Sequence, residues 1–400
     1  MGLFDKFGKL AAERASLCDS QIHPFGIRID EMYSPTEGMI QGKRVILAGT
    51  NNYLGLTFDP ASIKAAQRSL ELEGTGTTGS RMANGSYAGH SALEEELVDF
   101  LGRRSVIVFS TGYVANLAVI GTLAGAREVV LLDADCHASI YDACKLGGAE
   151  VIRFRHNDAA DLERRMVRLG ERAREALILV EGIYSMLGDQ APLREIVDVK
   201  RRLGGYLLVD EAHSFGVLGT HGRGLAEELG VDSEVDILLG TFSKSLGAVG
   251  GFAACHDAQM DLLRYASRPY IFTASPSPSA IASVRSALMA IKRRPQLRSQ
   301  LWSNARRLYQ GLADSGYQLG PQVSPVIAVM LKSPHEGLAV WRALMEKGVY
   351  VNLVLPPATP GAVTLVRCSV SAAHTAGQID HIIEAFASLR GPMGPVAGNA

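Results

Sequence analysis

Six short runs of consecutive apolar residues between residues 105 and 240 constrain the fold more than any other feature of the sequence. The runs are continuous rather than alternating, as expected of strands that are buried on both faces of a parallel sheet. Helical stretches such as 112–124 and 139–147 separate several of them, which gives repeated βαβ units. The pattern predicts an α/β fold with a mostly parallel sheet. The runs are SVIVF (105–109), EVVLLD (128–133), EVIRF (150–154), ALILVE (176–181), GYLLVD (205–210) and DILLG (236–240).

The 400 residues exceed the usual size of one domain, so a large domain with a smaller companion is expected. In the last third, helical stretches near 292–315 and 335–347 precede a strand at 363–371 and a closing helix near 375–389. This part reads as a smaller α+β domain, and the Gly/Pro-rich end reads as a frayed tail. The predicted division is an N-terminal arm (1–45), a large domain (46–289), a small domain (290–390) and a flexible tail (391–400).

Composition gives no strong electrostatic case for a nucleic acid or an anionic membrane as partner. Lys+Arg 40 against Asp+Glu 41 leaves a formal net charge of -1. The five cysteines form no C-x-x-C pair, and their number is odd, so we expect neither a disulfide framework nor a metal site. A reducing cytoplasm suits such cysteines.

The first residues, MGLFDKFGKLAAERASL, lack the continuous apolar region of a secretory signal. No stretch approaches eighteen uninterrupted apolar residues, so no membrane span is predicted. Leu3, Phe4, Phe7 and Leu10 fall on one helical face. We expect this face to pack on the protein or on a partner subunit, with peripheral contact with the inner membrane as the alternative.

Two motifs resemble those of nucleotide-binding proteins, but the sequence lacks the other features that such proteins need. Residues 74–79 match G-x-G-x-x-G, but a helical stretch precedes them and a polar loop follows, whereas the dinucleotide motif joins a strand to a helix. Residues 210–213 spell Asp-Glu-Ala-His, as in some ATPases. Such enzymes need G-x-x-x-x-G-K-[ST], which the sequence lacks.

Asp210 and Lys244 instead form a plausible pair at the edge of the sheet. Asp210 ends the run GYLLVD, at the carboxyl end of a strand, where open α/β sheets bind ligands. A buried carboxylate needs a partner, and a protonated pyridine nitrogen fits; taken alone, Asp210 could equally cap a turn. Lys244 follows the next run, between Ser243 and Ser245, and suits a Schiff-base lysine rather than a surface charge. Together they are the pyridinium partner and imine anchor that pyridoxal phosphate requires.

Phosphate and ring contacts can also be assigned. Thr241 and Ser243 carry hydroxyls that can donate to a phosphate. Gly112 and Tyr113 begin a helix whose N-terminus suits an anion, although the segment alone would be a plain N-cap. His137 could stack on the pyridine ring, and His213 could reach the phenolic oxygen; a lone histidine is more often structural. The order and spacing of the whole set carries the assignment.

The order and spacing of these residues resemble those of the α-oxoamine synthases. The residues are Gly112-Tyr113, His137, Asp210, His213, Thr241 and Lys244. These are homodimeric fold-type I pyridoxal-phosphate enzymes, with a large domain around a mostly parallel seven-stranded sheet and a smaller C-terminal α+β domain. The resemblance runs from about residue 25 to 390 and is strongest to members that condense L-serine with palmitoyl-CoA. One departure is Pro276-Ser277-Pro278, where the family usually has Leu-Pro-Pro. The matching stretches are GTGTTGSRMANGS (74–86), DADCHASIYD (133–142), VEGIYSMLGD (180–189), DEAHSFGVLG (210–219), GTFSKS (240–245), RPYIFTAS (268–275), VYVNLVLPPATP (349–360) and LVRCSVSAAHT (365–375).

The resemblance implies a role for each matching residue. Lys244 would hold the cofactor and act as general base, and Asp210 would keep its ring nitrogen protonated. Arg367 would bind the serine carboxylate, with Asn52 as a further substrate contact. Ser80 and Thr273 would reach the cofactor of the partner subunit. The implied products are 3-oxosphinganine, CoA and CO2, the first step of sphingolipid synthesis.

Two alternatives stay open beside the disfavoured nucleotide protein. Sibling synthases use glycine or alanine with acetyl-, succinyl- or pimeloyl-CoA on nearly the same motifs. A non-catalytic subunit of a synthase dimer would have lost its cofactor lysine, and Lys244 argues against that reading.

Overall fold

Each predicted apolar run contains one strand whose ends lie within one residue of the expected positions. The computed structural model describes residues 2–17, 23–356 and 358–390. The predicted tail, 391–400, and Cys18 lie outside these residues. In chain order the strands are β1 Glu31–Ser34, β2 Glu37–Ile40, β3 Lys43–Leu47, β4 Ser105–Phe109, β5 Val129–Asp133, β6 Glu150–Phe154, β7 Leu177–Glu181, β8 Tyr206–Asp210, β9 Ile237–Thr241, β10 Gly251–Cys255, β11 Val326–Leu331, β12 Val349–Tyr350, β13 Asn352–Val354 and β14 Thr364–Ser369.

Helices flank the large sheet and fill the C-terminal third. Side-chain caps fix several of their starts: Asp59 accepts from Ser62 N–H at 3.1 Å, and Thr111 accepts from Val114 N–H at 3.0 Å. The stretch expected near 292–315 is interrupted at Pro295, because proline lacks an N–H and disfavours helical backbone before it. The helices are α1 Gly8–Leu17, α2 Pro60–Glu73, α3 Ala88–Leu101, α4 Gly112–Leu123, α5 Ala138–Gly147, α6 Ala159–Leu169, α7 Leu193–Leu203, α8 Leu225–Glu228, α9 Leu263–Ala266, α10 Arg268–Ile271, α11 Pro278–Arg293, α12 Gln296–Asp314, α13 Pro334–Glu346 and α14 Ala376–Ala387.

The central sheet is seven-stranded within the described residues, in the order β4-β10-β9-β8-β7-β5-β6. Strands β5 to β9 pair in parallel, and only β10, which the sequence reading missed, runs antiparallel to its neighbours β4 and β9. The predicted mostly parallel fold is therefore confirmed. Because the parallel strands share one carboxyl edge, their last residues meet there. Those residues are Asp133, Phe154, Glu181, Asp210 and Thr241, and all but Phe154 are polar.

Two smaller sheets lie outside the large one. One has the order β1-β2-β3-β12, and its parallel β3–β12 pairing joins the N-terminal strands to the last third of the chain. The other has the order β11-β14-β13, is antiparallel, and carries Arg367 on β14. Helices α12 to α14 accompany it, as the α+β expectation required. The residue bounds of the predicted domains stay a prediction.

The N-terminal apolar face does not pack on its own chain. Leu3, Phe4, Phe7 and Leu10 are all exposed, with Leu3 and Phe4 at about three-quarters of their full exposure. The expectation that this face packs on the same chain is therefore wrong, and packing on a partner subunit stays a prediction. Across the described ranges no helix combines the length and the apolar character needed to cross a membrane.

Candidate active site

A cavity of about 250 Å³ opens at the carboxyl edge of the large sheet. It brings together eight of the twelve residues predicted for the site, from four separate segments of the chain. A larger groove of about 560 Å³ near Trp302 contains none of them. The residues that line the smaller cavity are Thr111, Gly112, Tyr113, Asn116, His137, Ser139, Glu181, Asp210, Ala212, His213, Leu239, Gly240, Thr241, Ser243 and Lys244.

Lys244 is half-buried at this cavity, and its amine has no protein partner among the described residues. It follows β9 in a loop that turns back at Gly247, where φ is +63°. Burial lowers the pKa of Lys244 to about 8, although the nearby carboxyl groups of Asp210 and Glu181 oppose that shift. Within the described residues Lys244 Nζ has neither a hydrogen bond nor an ion pair. An amine that titrates near neutrality is suited to form an imine and to exchange protons.

Asp210 faces the same cavity from the end of β8 and is only 6% exposed. Its Oδ2 accepts from Asn116 Nδ2 at 2.9 Å, and its Oδ1 accepts from the Ala212 N–H at 2.9 Å. These neutral donors hold the carboxylate in place and leave its other lone pairs directed at the cavity. Beyond capping the turn at Ala212, Asp210 is therefore placed to bind a cation in the cavity. Asn116, on α4, was not predicted from the sequence.

At the start of α4 the cavity is suited to an anion. Helix α4 begins at Gly112, so the unpaired N–H groups and the positive dipole end of the helix point here. A Cβ on Gly112 would lie 2.9 Å from Thr241 Cβ, so only glycine allows the helix to approach Thr241 this closely. Thr241 Oγ1 and Ser243 Oγ lie 2.9 Å apart at the same end. Thr111 thus caps the helix, and the same segment is suited to bind an anion.

His137 is fixed at the N-terminus of α5 and is joined to a carboxyl group that the sequence reading missed. Its Nδ1 accepts from the Ser139 N–H at 3.2 Å, and the backbone N–H of His137 donates to Glu181 Oε1. Burial lowers the pKa of His137, so its ring is neutral and available to stack. Burial and the neighbouring Asp210 raise the pKa of Glu181 well above its usual range. Glu181 ends the run ALILVE as Asp210 ends GYLLVD, and that shared signal could have identified it.

Arg367 lies beside the site on β14 and is 7% exposed. One guanidinium nitrogen donates to the Ser185 carbonyl at 3.0 Å, and the other donates to Asn51 Oδ1 and to Ser369 Oγ. Its Nε is buried without a partner, and among the described residues no carboxylate pairs with it. The alternative of a salt bridge across the domain interface therefore finds no partner here. A donor held by neutral groups can still bind a carboxylate.

The structure places Asn51, rather than the predicted Asn52, beside Arg367. Asn52 is 8% exposed, and its Nδ2 donates to Thr57 Oγ1 at 2.7 Å. Adjacent residues of an extended turn point in different directions, so the sequence Asn-Asn could not decide between them. A role for Asn52 as a substrate contact stays a prediction.

Ser80 and Thr273 do not line the cavity of their own chain. The loops that carry them are joined, because the Ser275 N–H donates to the Gly79 carbonyl at 2.9 Å. Next to this pair, the departure at Pro276-Ser277-Pro278 forms an ordinary helix start, in which Ser277 Oγ accepts from the Ala280 N–H at 3.3 Å. The predicted contact of Ser80 and Thr273 with a partner's cofactor stays untested.

Comparison with known proteins agrees with this geometry. The family described as aminotransferase class I and II matches residues 43–386. The serine palmitoyltransferase of Caulobacter vibrioides is 52% identical over 396 residues, covering 99% of this chain and 98% of that protein. The chain belongs to the class I and II aminotransferase family. Within that family, its resemblance to the α-oxoamine synthases, and to serine palmitoyltransferases in particular, is confirmed.

Two further members of the family are similar to this chain. The solved structure of the S. paucimobilis serine palmitoyltransferase, which holds an aldimine of pyridoxal phosphate and myriocin, superposes with a TM-score of 0.94 at 47% identity. The match covers 97% of this chain and 98% of that chain. A putative 8-amino-7-oxononanoate synthase of Desulforudis audaxviator is 40% identical and covers 89% of this chain and 92% of that protein. The family thus includes a sibling activity at lower similarity.

Proposed function

We propose that this chain is a pyridoxal-phosphate-dependent serine palmitoyltransferase. It joins Cα of L-serine to the acyl carbon of palmitoyl-CoA, with CoA leaving as a thiol and the serine carboxylate leaving as CO2. The product is 3-oxosphinganine. The observation that carries the proposal is Lys244, whose amine has no partner among the described residues and which shares one cavity with Asp210 and His137. The 52% identity to a serine palmitoyltransferase, against 40% to an oxononanoate synthase, favours this activity over the sibling one.

The residues that line the cavity fit pyridoxal phosphate. Lys244 would anchor the aldehyde carbon, and the Asp210 carboxylate would pair with the ring nitrogen. The phosphate would lie at the start of α4, beside Gly112 and the hydroxyls of Thr241 and Ser243. His137 would stack on the ring, and His213 would face its phenolic oxygen. Each cofactor group would therefore meet a residue of the matching chemistry.

The bound cofactor would supply an electron sink for the bond that breaks at Cα. Asp210, held by Asn116 and the Ala212 N–H, would keep the ring nitrogen protonated. Lys244, whose pKa is about 8, would hold and release the Cα proton near neutral pH. The remaining work of the protein is to place the substrate.

Arg367 would bind the serine carboxylate and so decide which bond at Cα is aligned for cleavage. Its planar guanidinium suits bidentate binding of a carboxylate. The Ser185 carbonyl and Asn51 hold it in place, and its buried Nε has no other partner in the part of the chain that is described. Asn52, one residue further along, is the second predicted substrate contact.

We further propose that the protein is a cytoplasmic homodimer with shared active sites. Ser80 and Thr273 are both partly buried, in hydrogen-bonded loops away from their own cavity, as residues that serve a partner's site would be. The described cysteines, Cys136, Cys144, Cys255 and Cys368, are free, in agreement with a reducing compartment. Peripheral contact with the inner membrane is supported by nothing beyond the exposed N-terminal face.

Product analysis of the purified protein tests the proposed activity. L-serine, glycine and L-alanine are each offered with palmitoyl-, acetyl-, succinyl- and pimeloyl-CoA, and CoA release and the ketone product are measured. The expected result is a visible absorption band of the bound cofactor and turnover with serine and palmitoyl-CoA. Lys244→Ala should lose both, whereas Lys145→Ala, which alters an exposed lysine of α5, should lose neither. A preference for another pair would make it a sibling synthase, and absence of the band would make it a non-catalytic subunit.

A further inference from the structure

Tyr53 and His213 form a buried hydrogen bond behind the cavity. Tyr53 is 0% exposed and His213 is 5% exposed, and Tyr53 Oη lies 2.6 Å from His213 Nδ1. Tyr53 belongs to the turn after β3, whereas His213 follows β8, so the bond joins segments 160 residues apart. His213 also lines the cavity, and its Nε2 has no hydrogen-bond partner in the described ranges. One ring nitrogen is thus fixed by the protein while the other remains available to a ligand.

The distances decide which atom donates. The Tyr53 hydroxyl has one hydrogen and two acceptors in reach, His213 Nδ1 at 2.6 Å and Asn51 Oδ1 at 3.4 Å. The second distance is at the outer limit for a hydrogen bond, and Asn51 Oδ1 already accepts a charge-assisted bond from Arg367. The hydroxyl therefore donates to His213 Nδ1. A neutral imidazole that accepts at Nδ1 carries its hydrogen on Nε2.

Protonation states in this region agree with that assignment. Burial raises the pKa of the Tyr53 hydroxyl, so it keeps its proton. Burial also lowers the pKa of His213 well below its usual range. The charged and titratable groups that face His213 are Lys244 after β9, Arg367 on β14 and His137 before α5, and all three oppose a positive charge on it. His213 therefore stays neutral, and its tautomer becomes the variable that matters.

We propose that Tyr53 is a positioning residue that holds His213 in its Nε2–H tautomer, so that His213 donates a hydrogen bond to the phenolic oxygen of the cofactor. The inference rests on the proposed cofactor. The opposite tautomer would present a bare nitrogen, which cannot donate to an oxygen that carries negative charge. Because Asn51 contacts both Tyr53 and Arg367, the same group of residues adjoins the carboxylate-binding arginine.

Histidine labelled with 15N and 13C reports the tautomer directly in the cofactor-free protein. The spectrum of His213 is assigned by its disappearance in His213→Asn. We expect the Nε2–H pattern in the wild type and a growing Nδ1–H population in Tyr53→Phe. A wild-type His213 in the Nδ1–H form would overturn the proposal. This measurement needs no turnover, and apart from the assignment variant His213→Asn it needs only the wild type, so it decides even if Tyr53→Phe fails to fold.

The loaded protein provides a second readout, the pH midpoint at which the absorption of the bound cofactor changes. Tyr53→Phe should move this midpoint upward by roughly half to one pH unit, because the phenolic oxygen loses part of the donor that stabilises its charge. The control is Tyr317→Phe, which removes a buried hydroxyl that donates to the Phe386 carbonyl at 2.9 Å, far from the cavity. That variant should leave the midpoint unchanged.

The outcomes separate this inference from the proposed function. If the wild type binds no cofactor, the proposed function fails, while the tautomer measurement still stands. If the wild type shows the cofactor band and a folded Tyr53→Phe has the wild-type midpoint, the positioning role of Tyr53 is wrong and the proposed function survives. An equal shift of the midpoint in Tyr317→Phe would also overturn the positioning role of Tyr53, since the shift would then reflect a general change in packing.

Discussion

Two histidines, the half-buried His156 and the buried His213, show how differently this chain uses one residue type. His156 lies between two carboxylates, with Nδ1 at 2.8 Å from Asp133 and Nε2 at 2.6 Å from Asp189. In His213, Nδ1 is hydrogen-bonded to Tyr53 Oη, whereas Nε2 is directed at the cavity. Burial lowers the pKa of both, but the two carboxylates outweigh it at His156 and raise that pKa to about 10, whereas His213 stays well below its usual range.

The difference between the two histidines separates a region that stabilises the fold from a region that can bind a ligand. The ionic network around His156 satisfies both ring nitrogens and joins the ends of β5 and β6 to the loop after β7, so it stabilises the fold. At the cavity, Lys244 Nζ and His213 Nε2 lack protein partners within the described residues. Polar groups that burial leaves unpaired are costly, and a ligand can repay that cost. We therefore expect mutations in the two regions to affect different quantities.

Lys244→Ala should give the largest effect, with turnover falling below detection. In the proposed mechanism one amine serves as covalent anchor and as general base, so both roles would be lost. Thermal stability of the cofactor-free protein should not fall, because Lys244 makes no ion pair in the described structure and its burial is unfavourable. Turnover and melting temperature are measured on the same preparation. A variant that retains a tenth of the wild-type rate would contradict the assignment.

Asp210→Asn should retain cofactor but lose about a hundredfold or more in turnover. An amide cannot stabilise a protonated ring nitrogen as a carboxylate does. Cofactor content by absorption and turnover with serine and palmitoyl-CoA are compared. Near-native turnover would mean that Asp210 only caps the turn at Ala212.

His156→Ala should act on stability instead. Removing the cation leaves Asp133 and Asp189 buried without a counter-charge, and the free energy of unfolding should fall by about 3 kcal/mol. Because the pKa of His156 is higher in the folded protein, its contribution is complete below pH 6.5 and disappears as the pH rises through about 10. Denaturant unfolding at pH 7 and pH 11 checks both statements.

A matched control for His156→Ala is Arg307→Ala, which breaks an exposed pair with Asp380. That change should cost less than about 1 kcal/mol. If His156→Ala is equally mild, or if it instead removes turnover from protein that remains folded, the contrast between the two regions is wrong.

Arg367→Ala should weaken L-serine binding about ten- to a hundredfold, since a charge-assisted bond contributes roughly 1.5–3 kcal/mol. The absorption of the bound cofactor without serine should be unchanged. Ethanolamine, which is serine without its carboxylate, serves as the control ligand and should bind wild type and variant alike. An unchanged dissociation constant for serine would rule out the carboxylate role.

The parts of the site that could be predicted lie at strand ends. A continuous apolar run that stops at a polar residue marks the carboxyl edge of a parallel sheet, so the sequence alone was enough to place Asp210 and Lys244 together. Asn116, Asn51 and Tyr53 could not be placed in this way, because their contacts join positions 94 to 316 residues apart. The antiparallel strand β10 was missed because its run, GFAAC, is small and partly glycine.

The central claim is that the amine of Lys244 holds the cofactor, and borohydride reduction tests it most directly. Reduction converts the C=N link between lysine and cofactor into a stable C–N bond, and digestion with mass spectrometry then finds the modified peptide. We expect a single modified peptide that contains Lys244 within GTFSKS (240–245). A modified peptide that lacks residue 244, or a protein that carries the cofactor and shows no modified lysine, would contradict the account.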